Sequence, residues 1–566
     1  MEPFEVFKEK LLAYLHAEQD MEKEDIEATK QMSREEKIEA NMMLANLTIA
    51  QSSDNTYVLN TPNNYSKLRS GDKIVLKSNG EGKGVKAIVV DTSVETVTVQ
   101  AEKEIDESAI YDLEEESPNL LNALIGCLEG ILPATPGAAF LRMLAKEEPV
   151  EAESFLRLVP EEIAGFENTF SSLNKEQQAA VRSMLEFYPI HVLQGPPGTG
   201  KTRVLAATAI AASLKNREVV IIANTHQAVN NALLKIRKTN KKVPLFKIGE
   251  LLKAEDLGDD IHKFQKFSEY NDYSRENRRK KKMGYVIGMT IWGAISSLGL
   301  RTHSHFRPYL ALVDEASLMP LTYASILGKC SSSVCFFGDS RQMPPIFRPE
   351  LKENTLSTSI LDFCAANVEG VPISILPVTH RMNSEITAFV SKAFYEPHGI
   401  VLHSAEKISG NRFNSPYFEH KGKNESIVFW DAEASSSNCL EENEGEADAV
   451  IEIVKALLQE GKQANSIAVI TPFRKQVRLL RSKAHEEINI RNLPLIDTVE
   501  RLQGQDVDCI ILSFASSDKN YIDTIRGFLF NPNRLNVMIS RAKTKVVIIA
   551  SESIQQELKM LWEVCS

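Results

Sequence analysis

The sequence predicts an α/β chain built on two parallel sheets, preceded by a helical arm and a small β-barrel. Three observations lead there. From about residue 171 onward, apolar runs of four or five residues alternate with helical stretches, as parallel strands covered by helices require. Between about 46 and 103 the hydrophobic period is two rather than 3.6, the mark of half-buried strands. Ahead of that lies charge-dense helical periodicity.

The chain's 566 residues, 43% of them apolar, suffice for several domains with their own cores. No run of about 18 apolar residues occurs, so no membrane span is expected. The start, Met1-Glu-Pro-Phe-Glu, has neither the basic beginning nor the apolar centre of a signal peptide. Seven scattered cysteines without a Cys-x-x-Cys pair argue against a disulfide scaffold or zinc module. They point to a reducing compartment, the cytoplasm or the nucleus. Net charge is −11, but residues 1–150 hold 15 basic and 28 acidic residues and the remainder 50 and 48. Local basic surface decides nucleic-acid binding, so the total does not exclude it.

In chain order, 1–45 is expected as a solvated helical arm or hairpin, with Phe7, Leu11 and Leu15 on one stripe. The small β-barrel takes 46–107, either as mere packing or as a nucleic-acid grip; no aromatic ladder decides between them. A helical connector with the acidic patch Asp112-Leu-Glu-Glu-Glu116 covers 108–170. The first α/β domain spans 171–370, with strands at 190–193, 219–223, 311–314 and 334–337. The second spans 371–566, with strands at 374–376, 426–430, 467–470, 509–513 and 546–550.

The most informative stretch is Gly195, Pro196, Pro197, Gly198, Thr199, Gly200, Lys201, Thr202 and Arg203, set between an apolar strand and an Ala/Leu-rich helix. Its glycines let backbone N–H groups converge on phosphates, and the helix beginning near Lys201 adds its positive dipole end. Lys201 is expected on the β- and γ-phosphates and Thr202 on Mg²⁺. Leu312-Val-Asp314-Glu315 ends a later strand with adjacent carboxylates whose side chains point opposite ways. Asp314 is the expected Mg²⁺ ligand, and Glu315 the base that deprotonates the attacking water.

Gly338-Asp-Ser-Arg-Gln342-Met-Pro-Pro345 follows the next strand, and with it the chain resembles a superfamily 1 helicase. Within that superfamily the likeness is to the nonsense-mediated-decay and immunoglobulin-mu-binding-protein helicases. The resemblance implies two tandem RecA-like domains and the following roles. Gln342 senses the γ-phosphate, and Gln177, in Leu173-Asn-Lys-Glu-Gln177, reads adenine through its amide. Thr225 and Asn230, after the second strand, and Thr290 in Ile287-Gly-Met-Thr290 touch the nucleic-acid backbone. Polar caps of loops are the competing account of all three. The basic run Arg275 to Lys282, close behind Tyr270 and Tyr273, is either a solvated loop or a phosphate contact.

In the second domain, Val378-Thr-His-Arg381-Met resembles the family's Gln-Tyr-Arg-Met, so Arg381 is expected on the γ-phosphate, with His380 in place of the stacking aromatic. Thr471 and Pro472, in Ile467-Ala-Val-Ile-Thr-Pro, match a backbone-holding turn. In Thr498-Val-Glu-Arg501-Leu-Gln503-Gly504-Gln-Asp506, Thr498 and Arg501 would face the strand, while Gln503 and Gly504 approach the triphosphate. Asp506 stands where the family has Glu, shortening a ribose contact by one methylene. Asn533-Arg-Leu-Asn-Val-Met-Ile-Ser-Arg541 supplies Arg541 as the arginine finger, with Arg534 expected to be structural.

A site split between two domains implies ATP and Mg²⁺ as ligands and a single strand of DNA or RNA as partner, with translocation implied 5′ to 3′. A protein partner on the N-terminal domains fits as well. An ATP-gated nucleic-acid clamp without processive unwinding is the alternative. A phosphate-loop kinase or GTPase would leave Gln342, Arg381, Gln503 and Arg541 without roles.

Overall fold

The structure is a computed structural model that describes residues 3–565, apart from 41, 54, 62–67, 69–71, 79–83, 93–95, 117–120, 134, 152–156, 278–282, 297–307, 353, 431–437, 489–492 and 500–505. It contains two RecA-like parallel sheets, as the alternation of apolar runs predicts. The first is eight-stranded. Its order is His262–Phe264, Leu245–Ile248, Val286–Thr290, Val219–Ala223, Leu310–Val313, Val334–Gly338, Ile190–Gln194 and Ile373–Ile375. The central strands are buried along their whole length, which explains why they read as unbroken apolar runs. The second sheet has five strands, ordered Ile427–Trp430, Ala542–Ile549, Val507–Ser513, Ile467–Ile470 and Leu495–Asp497. Helices cover both faces of each sheet, giving two apolar layers per domain.

Three elements depart from the expected plan. Strand Ile373–Ile375 pairs with Val192–Gln194 and so belongs to the first sheet, carrying it beyond residue 370. The barrel closes through a sixth strand, Tyr111–Glu115, paired to both Met43–Ser53 and Lys73–Ser78. That strand is the stretch read as an acidic patch in a helical connector. Its Tyr111 and Leu113 enter the barrel core, and Asp112 on the other face is buried where Arg34 grips its carboxylate with two bonds of 2.7 and 2.8 Å. The connector is helical only after it, at Leu121–Glu129 and Pro136–Leu144.

The arm is the third departure. Helix Pro3–Gln31 is solvated only in its second half. Phe4, Leu11, Tyr14 and Leu15 recur on one face and are buried in the same apolar cluster as the first sheet. The Tyr14 hydroxyl lies 3.1 Å from Ser357 Oγ, and Glu147 accepts the Phe4 N–H at 2.9 Å. Among the described residues, no helix is long and apolar enough to cross a membrane. The six cysteines whose side chains are described are free.

Candidate nucleotide site and cleft

The phosphate loop connects strand Ile190–Gln194 to helix Lys201–Leu214 at the C-terminal edge of the first sheet. Two glycines make the loop what it is. Gly200 has φ +91°, and a Cβ there would lie 2.5 Å from Gln177 Nε2. Gly198 has φ +73°, and a Cβ would lie 2.5 Å from Arg381 Cβ, so the second domain rests directly on the loop. Thr379 Oγ1 donates to the Pro197 carbonyl at 2.8 Å, and the His380 N–H donates to the Gly198 carbonyl at 2.8 Å. Lys201 Nζ is held by the Gly195 carbonyl. Thr202 and Arg203 line the cleft beside it.

Asp314 and Glu315 follow strand Leu310–Val313. Glu315 adopts φ +54°, ψ +39°, a left-handed conformation rare outside glycine. Asp314 is buried; burial first, then the adjacent Glu315, pushes its carboxyl up, and Lys201 opposes the shift. Thr202 and Asp314 line the same cleft. One hydroxyl and one carboxylate beside a phosphate loop suit a hard cation that takes its other oxygens from water and phosphate. In keeping with that donor set, no group of three or more His, Cys, Asp or Glu that could hold a metal occurs among the described residues.

Across the seam, Arg541 Nη2 donates to Gln342 Oε1 at 3.4 Å; within the second domain, Arg381 Nη1 donates to the Ser540 carbonyl at 3.0 Å. Asp506 sits between the two guanidiniums, 2.6 Å from Arg381 and 4.0 Å from Arg541. Burial, with Arg541 alongside, pushes Arg381 down to about 10. The buried Nε atoms of both arginines have no protein acceptor among the described residues. Asp506, expected to contact ribose, is the counter-ion of both arginines here.

Several residues of the expected contacts have partners within the protein. Gln177 is fully buried with its amide engaged at both ends: Oε1 accepts the Asn174 N–H at 3.2 Å, and Nε2 donates to the Thr199 carbonyl at 3.0 Å. Leu-Asn-x-x-Gln therefore spells a capping box for helix Lys175–Met184 as well as a nucleotide motif. Thr225 and Thr290 are N-caps, accepting from Ala228 and Gly293 N–H groups. Asn230 is buried, donating to the Lys253 carbonyl and Asp256. That loop then reaches the barrel, with Lys253 Nζ 3.4 Å from Asp72. Thr471, Pro472 and Thr498 are buried. Arg534 packs over the Phe528 ring at 4.2 Å. Arg501, Gln503, Gly504 and the run 278–282 lie outside the described residues.

The cleft of about 2050 Å³ runs from the phosphate loop past Thr225 and Thr290 to the barrel residues Asp72 and Lys73. Trp292 also lines it, 40% exposed and edge-on to Tyr323 at 5.6 Å, a residue that no motif pointed to. A buried cluster was missed as well. Asp339 accepts from Gln194, Gln342 and the Tyr395 hydroxyl, each at 2.6 Å, and Asn536 reaches it from the second domain through Tyr395. Asp339 and Asn536 fell inside recognised segments; Tyr395 fell in none.

Two family models, each described as an AAA domain, match residues 172–360 and 356–553. The chain is 24% identical over 527 residues to the DNA replication ATP-dependent helicase/nuclease JHS1 of Arabidopsis thaliana. It is 25% identical over 528 residues to the DNA replication ATP-dependent helicase/nuclease DNA2 of Bos taurus. These alignments cover 88% and 86% of this chain but only 38% and 48% of the relatives, so the chain spans less than half of either. The arterivirus nonstructural protein 10 helicase superposes with a TM-score of 0.40 at 11% identity, over 91% of this chain and 80% of its own.

Proposed function

We propose that the chain is a superfamily 1 helicase, hydrolysing ATP between its two RecA-like domains to move along single-stranded nucleic acid. The observation that carries this reading is the seam itself. Arg381 and Arg541 of the second domain meet Gln342 and the phosphate loop of the first, with buried N–H donors still unused.

In this scheme the triphosphate lies on the backbone amides of 195–202, and Lys201 leaves the Gly195 carbonyl for the β- and γ-phosphates. Thr202 and Asp314 would hold Mg²⁺, which when bound neutralises charge on the β- and γ-oxygens. Gln342 senses the γ-phosphate, and Glu315 orients the attacking water and takes its proton as the oxygen attacks the γ-phosphorus. The bond from that phosphorus to the β–γ bridging oxygen breaks, leaving ADP and phosphate. Arg381 and Arg541 exchange Asp506 for the developing charge on the γ-phosphoryl group. Once phosphate leaves, Asp506 takes the arginines back, so the charge that favoured full closure is gone.

The polymer we propose is DNA, since the relatives carry DNA replication in their names and the helicase half of those names fits the seam. Movement 5′ to 3′, and placement beside the nonsense-mediated-decay and immunoglobulin-mu-binding-protein helicases, rest on the motif resemblance. Contacts are mainly to phosphate and sugar, so sequence preference is slight. A duplex with a 5′ single-stranded tail tests the reading: ATP-dependent displacement is expected, faster on DNA than on RNA of the same sequence. Strand-stimulated hydrolysis without displacement would leave the ATP-gated clamp in its place.

A further inference from the structure

We propose that the Tyr395 hydroxyl, seated between Asp339 of the first domain and Asn536 of the second, is a positioning group that sets the reach of the proposed finger Arg541. The inference rests on the motor reading for its catalytic consequence, but the geometry stands by itself.

Tyr395 is fully buried and ends the π-helical segment Ser391–Tyr395, an irregularity of the kind that re-aims a side chain at functional sites. Its hydroxyl donates to Asp339 Oδ2 at 2.6 Å and accepts from Asn536 Nδ2 at 2.8 Å. Asn536 uses its other N–H on the Arg341 carbonyl at 2.7 Å. The same carboxylate oxygen of Asp339 accepts Gln342 Nε2, so one group holds both the γ-phosphate sensor and the second domain. Gln194 Nε2 and the Arg341 N–H fill the other oxygen. Every acceptor position of Asp339 is thereby satisfied inside the protein, as a buried carboxylate demands.

The mechanical link is helix Pro532–Ser540. Asn536 lies in its middle and Arg541 caps its end, so fixing Asn536 fixes Arg541 about 7 Å further along the same rigid rod. Arg541 then meets Gln342, which Asp339 already holds. Tyr395 closes this loop of contacts: sensor, carboxylate, phenol, amide, helix, finger. Without its hydroxyl the second domain keeps the Asn536–Arg341 bond but loses its tie to the group that orients Gln342.

The experiment is Tyr395→Phe, assayed with ATP and oligo-dT and compared by hydrogen exchange without nucleotide. A fall in kcat of about tenfold with KM for ATP within about twofold is expected, since the lost hydrogen bond orients the finger and touches none of the residues placed on ATP binding. In an Arg541→Ala background the same change should cost less than about twofold, because the positioned group is already gone. Exchange should rise together at 338–342 and 536–541. Wild-type kcat, an undiminished tenfold cost in the Arg541→Ala background, or unchanged exchange at both segments would each overturn the proposal. Wild-type protein without strand-stimulated hydrolysis would sink the motor reading instead, and the exchange comparison would still decide the latch. Should Tyr395→Phe fail to fold, Asn536→Ser cuts the same link from the other side and carries the same expectations.

Discussion

At the scale of single residues, the seam makes Lys201 and Arg541 separable. Lys201→Ala removes the only side-chain charge in the loop placed for the β- and γ-phosphates, and ATP hydrolysis is expected to disappear into background. Arg541→Ala should retain nucleotide binding but lower kcat by roughly 10³-fold; a steady-state assay distinguishes the two. Glu446 offers a pH test remote from this chemistry. It is fully buried, with Oε2 accepting from Ser513 and Ala515 and Oε1 without a partner among the described residues. Burial pushes its carboxyl up to about 7, against the pull of those bonds. A raised value means the fold prefers the neutral acid: stability is full below pH of about 4.5, declines as pH rises towards 7, and is then flat. Glu446→Gln mimics the neutral form and should remove that decline, adding on the order of 3 kcal/mol at pH 8. Thermal melts at pH 5 and pH 8 check this: the variant should gain several degrees at pH 8 only. Phosphate chemistry was legible in the residues because contiguous backbone geometry dictates it. Tyr395, and the pairing of Asp506 with Arg381 and Arg541, were not, because these partners lie far off in sequence and spacing carries no trace of them.

At the scale of elements, a strand's legibility followed its burial. Strands enclosed on both faces, such as Val219–Ala223 and Ile467–Ile470, stood out as apolar runs. The edge strand Ile373–Ile375, with both isoleucines exposed, could be placed in either sheet, and only pairing with Val192–Gln194 assigns it. Tyr111–Glu115 was hidden because three of its five residues are acidic; Tyr111 and Leu113 enter the barrel core, while Asp112 pairs with Arg34 of the arm on the other face. Side-chain size sets how closely elements approach. Gly288 lies on strand Val286–Thr290 beneath helix His226–Thr239, where a Cβ would come within 2.5 Å of Val229 and 2.9 Å of Leu233. Gly288→Ala should therefore destabilise the first domain by about 1–3 kcal/mol, read as a lower denaturant midpoint with unchanged m. Since that helix carries Thr225 and Asn230, the displacement should also weaken single-strand binding.

At the scale of the whole molecule, nucleotide binding and domain contact are one equilibrium. A non-hydrolysable ATP analogue at 100 times its Kd should stabilise the closed protein by about 2.7 kcal/mol. Arg541→Ala should reduce the accompanying rise in Tm by more than it lowers the nucleotide-free Tm, because the liganded seam loses a contact to the phosphates while the unliganded one loses a 3.4 Å bond to Gln342; calorimetry with and without analogue measures both. The two-domain plan was legible at this scale because repeated buried strands impose it. The arm's true place was not, since four buried side chains among many charges resemble an ordinary solvated helix.

That placement of the arm bears on synthesis. Tyr14 meets Ser357 across 343 residues of chain, and Phe4, Leu11 and Leu15 share a core with residues as distant as Val368. A ribosome adding about 5–20 residues per second needs tens of seconds to deliver those partners. Throughout that interval the greasy stripe of helix Pro3–Gln31 stands without its partners, so it has a long wait in which nascent-chain chaperones can claim it.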